Sequence, residues 1–166
     1  LERAVDALKN GEEIDIVSED STHIDIELNI PALLPESFIF DVYTRLTLYK
    51  RMNNAKTREA LDEIKVELID RFGQLPEAAQ NLLHVLNIKL KAKQLNIASV
   101  VMNEDFADLK FKTFNPAFYA QLIKLIQSNP STYKPLPNDG LRLLGEFDLA
   151  EQRIDAIHQL FDILAS

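Results

Sequence analysis

The sequence has no cysteine, only four glycines and only three histidines. Each shortage removes a class of chemistry. Without cysteine there are no disulfides, no thiolate metal sites and no thiol nucleophile, and the expected compartment is the reducing cytoplasm. Gly11, Gly73, Gly140 and Gly145 lie too far apart to build a loop whose amides wrap a phosphate. His23, His84 and His158 are equally dispersed, and none has a second histidine at helical ligand spacing. Nucleophile-elbow, HExxH, EF-hand and dinucleotide-binding patterns are missing as well. No catalytic residue, no metal ligand and no cofactor of its own is therefore expected for this chain. No run approaches the roughly 18 apolar residues of a membrane span, and the start lacks the pattern of a signal peptide.

What is present fits one ordinary globular domain. The chain has 166 residues, 46% of them hydrophobic and 27% charged, and one core is expected. Its net charge of -8 opposes a nucleic-acid backbone, which is bound chiefly through Lys and Arg. A basic, arginine-bearing protein surface is the better match. The opening LERAVDALKNG reads as an amphipathic helix closed by Gly11, as in a piece that begins inside a longer protein.

Periodicity sets the order of elements. His23, Asp25, Glu27 and Asn29 alternate with Ile24, Ile26, Leu28 and Ile30, which predicts a half-buried strand. Pro31 and Pro35 bracket an extended link. A helix carrying Val42, Leu46 and Tyr49 follows, to about Asn53, and the aromatics Phe38, Phe40, Tyr43 and Tyr49 are read as core packing. The next helix has Thr57 as N-cap, Glu59 in its first turn and Gly73 just past its end. Pro76 opens another, with Leu82, Leu83, Leu86 and Leu90 as its apolar stripe, stopping near Asn96.

From there the period shortens. Residues 97–102 and 106–112 predict a hairpin turning at Asn103 to Asp105. Asn115 and Pro116 start a helix that runs to about Asn129. TYKPL and LRLLGEF are two further strands around a turn at Pro137 to Gly140. Asp148 with Glu151 is a capping-box pattern for a last helix through Ile154, Ile157, Leu160, Phe161 and Leu164. The fold class is α+β: an N-terminal helical layer and a C-terminal small antiparallel or mixed sheet with hairpins and packed helices.

The candidate site comes from the helix at 57–72. At about 100° per residue, Glu59, Glu63, Glu67 and Asp70 fall within an arc of roughly 80°, opposite Leu61, Ile64, Leu68 and Phe72. Lys65 and Arg71 flank this acidic stripe, Arg71 lying i,i+4 from Glu67. Four carboxylates on a rigid helix suit the forked donors of arginine. An ordinary solvated helix face has the same pattern, and charge alone leaves both readings open. Lys89, Lys91 and Lys93 offer a third: Lys89 and Lys93 share a face that a helix C-terminus favours without any ligand, or that touches nucleic acid.

The segment from Glu27 to Leu83 resembles the C-terminal domain of the bacterial transcription-repair coupling factor family. The resemblance rests on IPxLLP at Ile30 to Pro35, RLxxYKR at Arg45 to Arg51, and ELIDRFGxLP at Glu67 to Pro76. Phe40 stands where relatives are expected to have proline, and the turn at Asn103 to Asp105 lacks glycine. The resemblance implies residues 1–22 as a connecting helix and linker from a preceding motor region, and 23–166 as the C-terminal regulatory domain. It implies a parent that is a DNA-dependent ATPase and translocase, using ATP and magnesium in motor domains outside this chain. This domain would dock within the same protein on a UvrB-like domain, mask recruitment of UvrA and restrain the motor that acts on stalled RNA polymerase and DNA. In that family the docking carboxylates belong to the ELID motif, here Glu67 and Asp70, and Glu63 joins them on the same stripe. No membrane partner is implied. The alternative is a nucleic-acid-contacting accessory domain of a helicase, using Lys89 to Lys93.

Overall fold

The structure is a computed structural model that describes residues 23–113 and 115–166. Residues 1–22, expected as helix and linker, lie outside the described residues.

Two compact units share the chain, one comprising His23 and Pro31–Leu90 among its described residues and the other Ile24–Ile30 with Lys91–Ser166. The chain passes between the units three times, after His23, Ile30 and Leu90, and the last passage lies inside a continuous helix. No glycine or proline cluster marks that last passage, whereas Pro31 stands at the second.

The first unit is helical. It contains α1 (Val42–Asn54), α2 (Arg58–Phe72) and most of α3 (Glu77–Gln94). Leu34, Ile39, Leu48, Met52, Ile64, Leu68, Leu75 and Ala79 form its core, with Phe38, Tyr49 and Phe72 packed against it. The prolines of the IPxLLP segment leave an extended stretch whose backbone needs outside partners. They are found: the Leu34 amide donates to the Tyr49 hydroxyl at 2.7 Å, the Leu33 amide to the Ala78 carbonyl at 3.1 Å, and Asn81 to the Pro31 carbonyl at 2.9 Å. Burial pushes the Tyr49 phenol up in pKa, so it stays a neutral acceptor for that amide.

Two sequence expectations change here. Phe38 and Tyr49 pack as expected, but Phe40 is 82% and Tyr43 60% exposed, outside the core. In α3 the fully buried apolar positions are Ala79, Ile88 and Ala92, and Leu82, Leu83 and Leu86 pack only partly.

The second unit holds a five-stranded mixed sheet of β1 (Asp25–Glu27), β2 (Ile97–Met102), β3 (Phe106–Phe111), β4 (Tyr133–Leu136) and β5 (Gly140–Leu144), ordered β1-β2-β3-β5-β4. β1 pairs parallel to β2, and every other pairing is antiparallel. The alternation of residues 23–30 is observed, with Ile24 and Leu28 buried, but only three residues pair. Asn29 ends the strand with φ 55° and donates its side-chain amide to the Met102 carbonyl at 2.7 Å. The hairpin turns without glycine because the Asn103 side chain accepts from the Asp105 and Phe106 amides, at 2.8 and 3.0 Å, an Asx turn.

Helix α4 (Pro116–Ser128) starts on Asn115, whose Oδ1 accepts from the Ala117 amide at 3.0 Å. The last helix, α5 (Ala150–Ala165), buries Ile154, Ile157, Leu160, Phe161 and Leu164 as its spacing predicts. Its cap is shifted by one from Asp148 and Glu151: Leu149 occupies the cap, and its amide donates to Gln152 at 2.9 Å. The α+β class and the mixed sheet are thus as the sequence predicts.

Candidate docking face

Helix α2 is fixed at both ends by local chemistry. The Thr57 hydroxyl accepts from the Ala60 amide at 3.1 Å, and Gly73, at φ 95°, donates its amide to the Ile69 carbonyl at 2.9 Å. A residue with a Cβ is strained at that φ, so glycine lets the chain leave the helix there. Burial of Leu61, Ile64 and Leu68 then sets the rotation of α2, and with it which side chains reach solvent.

Three bands run along the exposed surface of α2. The crest carries Glu59, Glu63 and Asp70, all exposed, with Val66 between them at 57% exposure. None of these three carboxylates has a hydrogen bond or ion pair among the described residues. Toward one flank Ile69 is 43% exposed. A rigid acidic ridge with two accessible apolar side chains presents both parts of a protein-binding surface, charge for orientation and apolar area for affinity.

The other flank holds Glu67, and here the structure adds a contact. Arg51 of α1 binds its carboxylate bidentately, Nη1 at 2.6 Å and Nη2 at 3.0 Å, and Arg71 reaches the same group at 3.1 Å. Two-thirds of the Glu67 side chain is shielded, with 33% remaining exposed. The hydrogen bonds from Arg51, and after them those from Arg71, hold the Glu67 carboxyl below the usual glutamate range. The Arg51 guanidinium is raised in turn, chiefly by the same bond. Glu67 is therefore a hub tying α1 to α2, while Glu59, Glu63 and Asp70 are free of partners among the described residues. Arg51 lies 16 residues from Glu67, and no local spacing in the sequence links them. Val66 could have been found from the helical projection, which places it amid the acidic residues.

The remaining candidates stand apart. Lys91 Nζ is 3.0 Å from His158 Nδ1, and Lys93 also has a partner, so the basic run is not a set of free cations. Among the described residues no group of three or more His, Asp or Glu is placed to hold a metal, and no helix is long and apolar enough to cross a membrane.

Comparison with known proteins places this chain in a family. Residues 28–122 match the family described as the TRCF domain. The transcription-repair-coupling factor of Escherichia coli (strain K12) is 41% identical over 159 residues, covering 96% of this chain and 14% of that protein. Its counterpart in Haemophilus influenzae is 40% identical over 134 residues, 81% of this chain and 12% of that protein. The Buchnera aphidicola factor is 34% identical over 154 residues, 86% and 19% of the two lengths. The chain thus spans between 12% and 19% of the length of these relatives. Among solved structures, the C-terminal domain of transcription-repair coupling factor matches in fold, with a TM-score of 0.70 at 18% identity, over 86% of this chain and 92% of that one.

Proposed function

The chain belongs to the TRCF domain family and has the fold of the C-terminal domain of transcription-repair coupling factor, and from that premise we propose that it is an autoinhibitory docking domain. In this reading it binds the UvrB-like domain of its own parent protein, covers the surface that recruits UvrA, and restrains the translocase that acts on DNA behind stalled RNA polymerase. ATP and magnesium belong to the motor of the parent, and this chain contributes binding alone.

The observation that carries the reading is the crest of α2: Glu63 and Asp70 unpaired and exposed beside Val66 and Ile69. Asp70 and Glu63 meet arginines of the partner. Glu67 contributes by fixing α2 on α1 through Arg51.

A modest interface is enough for such a device. A tethered domain sees its partner at about millimolar effective concentration, so a Kd of about 10 μM keeps roughly 99% of molecules closed. Loss of one well-placed charged contact weakens docking about 30-fold, which opens about a quarter of them. The test is binding of the domain to the UvrB-like domain at low salt. Glu63→Lys and Asp70→Lys are each expected to weaken it about 30-fold, with partial rescue by an Arg→Glu change on the partner, and in the full-length parent to increase UvrA binding. Unchanged binding by both variants would reduce the crest to a solvated helix face.

A further inference from the structure

On the flank of α2 opposite Glu67, between α2 and α3, lies a cleft of about 570 Å³ that shares only Ile69 with the docking face. Its floor is apolar, lined by Leu61, Leu75 and Leu83, with Ile69 at its lip. Its rim carries Arg58 and Lys65 against one carboxylate, Asp62. In a chain with 26 acidic and 18 basic residues, that local cationic excess runs against the average. Arg58 and Lys65 have no hydrogen bond or ion pair among the described residues, even though Asp62 is four residues from one and three from the other.

These features together specify a ligand. The volume falls in the range of about 300 to 1,000 Å³ typical of sites that enclose a small ligand or a few side chains. An apolar floor rewards an apolar side chain, and unpaired cations at the rim reward carboxylates, most of all at the forked guanidinium of Arg58. A nucleic-acid strand needs a broad basic surface, and the crest of Glu59, Glu63 and Asp70 along the same helix repels a polyanion. A short acidic peptide avoids that crest.

We propose that the α2–α3 cleft is a second docking site, which takes an acidic peptide segment of a partner protein. A leucine-sized side chain enters between Ile69 and Leu83, and flanking carboxylates meet Arg58 and Lys65. The site shares Ile69 with the docking face but none of its carboxylates, and it has the opposite charge preference, so a partner that engages both is read in one orientation.

The probe is a fluorescein-labelled EDLLED hexapeptide, titrated against the 166-residue chain at low salt by anisotropy, with amide chemical shifts recorded in parallel. Saturable binding is expected, with shifts at Arg58, Ile69 and Leu83. The double variant Arg58→Glu/Lys65→Glu, and separately the peptide EDGGED, should each weaken binding about tenfold or more. Glu63→Lys and Asp70→Lys should leave it intact, which separates this site from the crest. The proposal is overturned if EDLLED does not saturate by about 5 mM, if it binds the double variant equally well, or if a single-stranded oligonucleotide produces the same shifts more tightly.

Discussion

Arg153 shows how much one side chain can hold. It is 8% exposed, and its guanidinium donates to the carbonyls of Phe147 at 2.7 Å, Leu28 at 2.9 Å and Asn29 at 3.0 Å, with Glu104 at 3.9 Å. The planar fork of arginine reaches several acceptors at once, which the compact lysine head cannot copy. Arg153→Met keeps the stem and removes the donors, leaving buried carbonyls that each cost about 1 to 3 kcal/mol when unsatisfied. A loss on the order of 3 kcal/mol in urea unfolding is expected, and a loss below about 1 kcal/mol would mean that water replaces the guanidinium. Glu67 makes a different prediction, because it titrates. Its pKa is lower folded than unfolded, so its contribution is complete above the unfolded glutamate value and is lost as pH falls through the folded one. The stability gap between the parent chain and Glu67→Gln should therefore be widest near neutral pH and close in acid, below the usual glutamate range. A gap constant from pH 7 to strongly acidic conditions would remove the Arg51–Glu67–Arg71 cluster as its source.

Elements divide by whether their signals are local. Thr57, Gly73, Asn115 and the Asn103 turn each act within three or four residues, and the sequence places the corresponding ends within a residue or two. Thr57→Ala tests such a signal: it strands the Ala60 amide and is expected to cost about 1 kcal/mol, measured by thermal unfolding, with the circular-dichroism spectrum otherwise unchanged. A Thr57→Asp change should retain that stability. The candidate site was legible to the same extent. Helical projection finds the crest because rotation about α2 is set by its own apolar residues, Leu61, Ile64 and Leu68. It finds the Arg71 neighbour of Glu67 but not Arg51, which arrives from another helix. The burial order of α3 and the short β1 escaped for a related reason: which residues are covered depends on partners distant in sequence, such as Ala78 for Leu33 or Met102 for Asn29.

At the scale of the whole molecule, the division into two units decides what stability means for this chain. Contacts gather the chain into two compact units, and α3 runs uninterrupted across the boundary at Leu90 and Lys91, where neither composition nor a linker reveals the division. A chain of this kind need not unfold in one step. Leu68 in the first unit is fully buried, and Leu160 in the second is 1% exposed. Truncating either to alanine leaves a cavity and should cost about 2 to 5 kcal/mol of local stability. Where the cost is felt is the informative quantity. Native-state hydrogen exchange of Leu68→Ala is expected to accelerate amides of α1 and α2 while those of β2, β3 and β5 keep their protection, because opening the first unit leaves the sheet's ladder bonds made. Leu160→Ala should do the reverse. If each variant instead lowers protection equally in both units, α3 transmits the loss across the boundary and the chain unfolds as one cooperative body. In that case a change made to weaken docking on α2 would also be felt in the sheet, and the Glu63 and Asp70 variants would have to be compared at matched stability before their binding is read as contact energy.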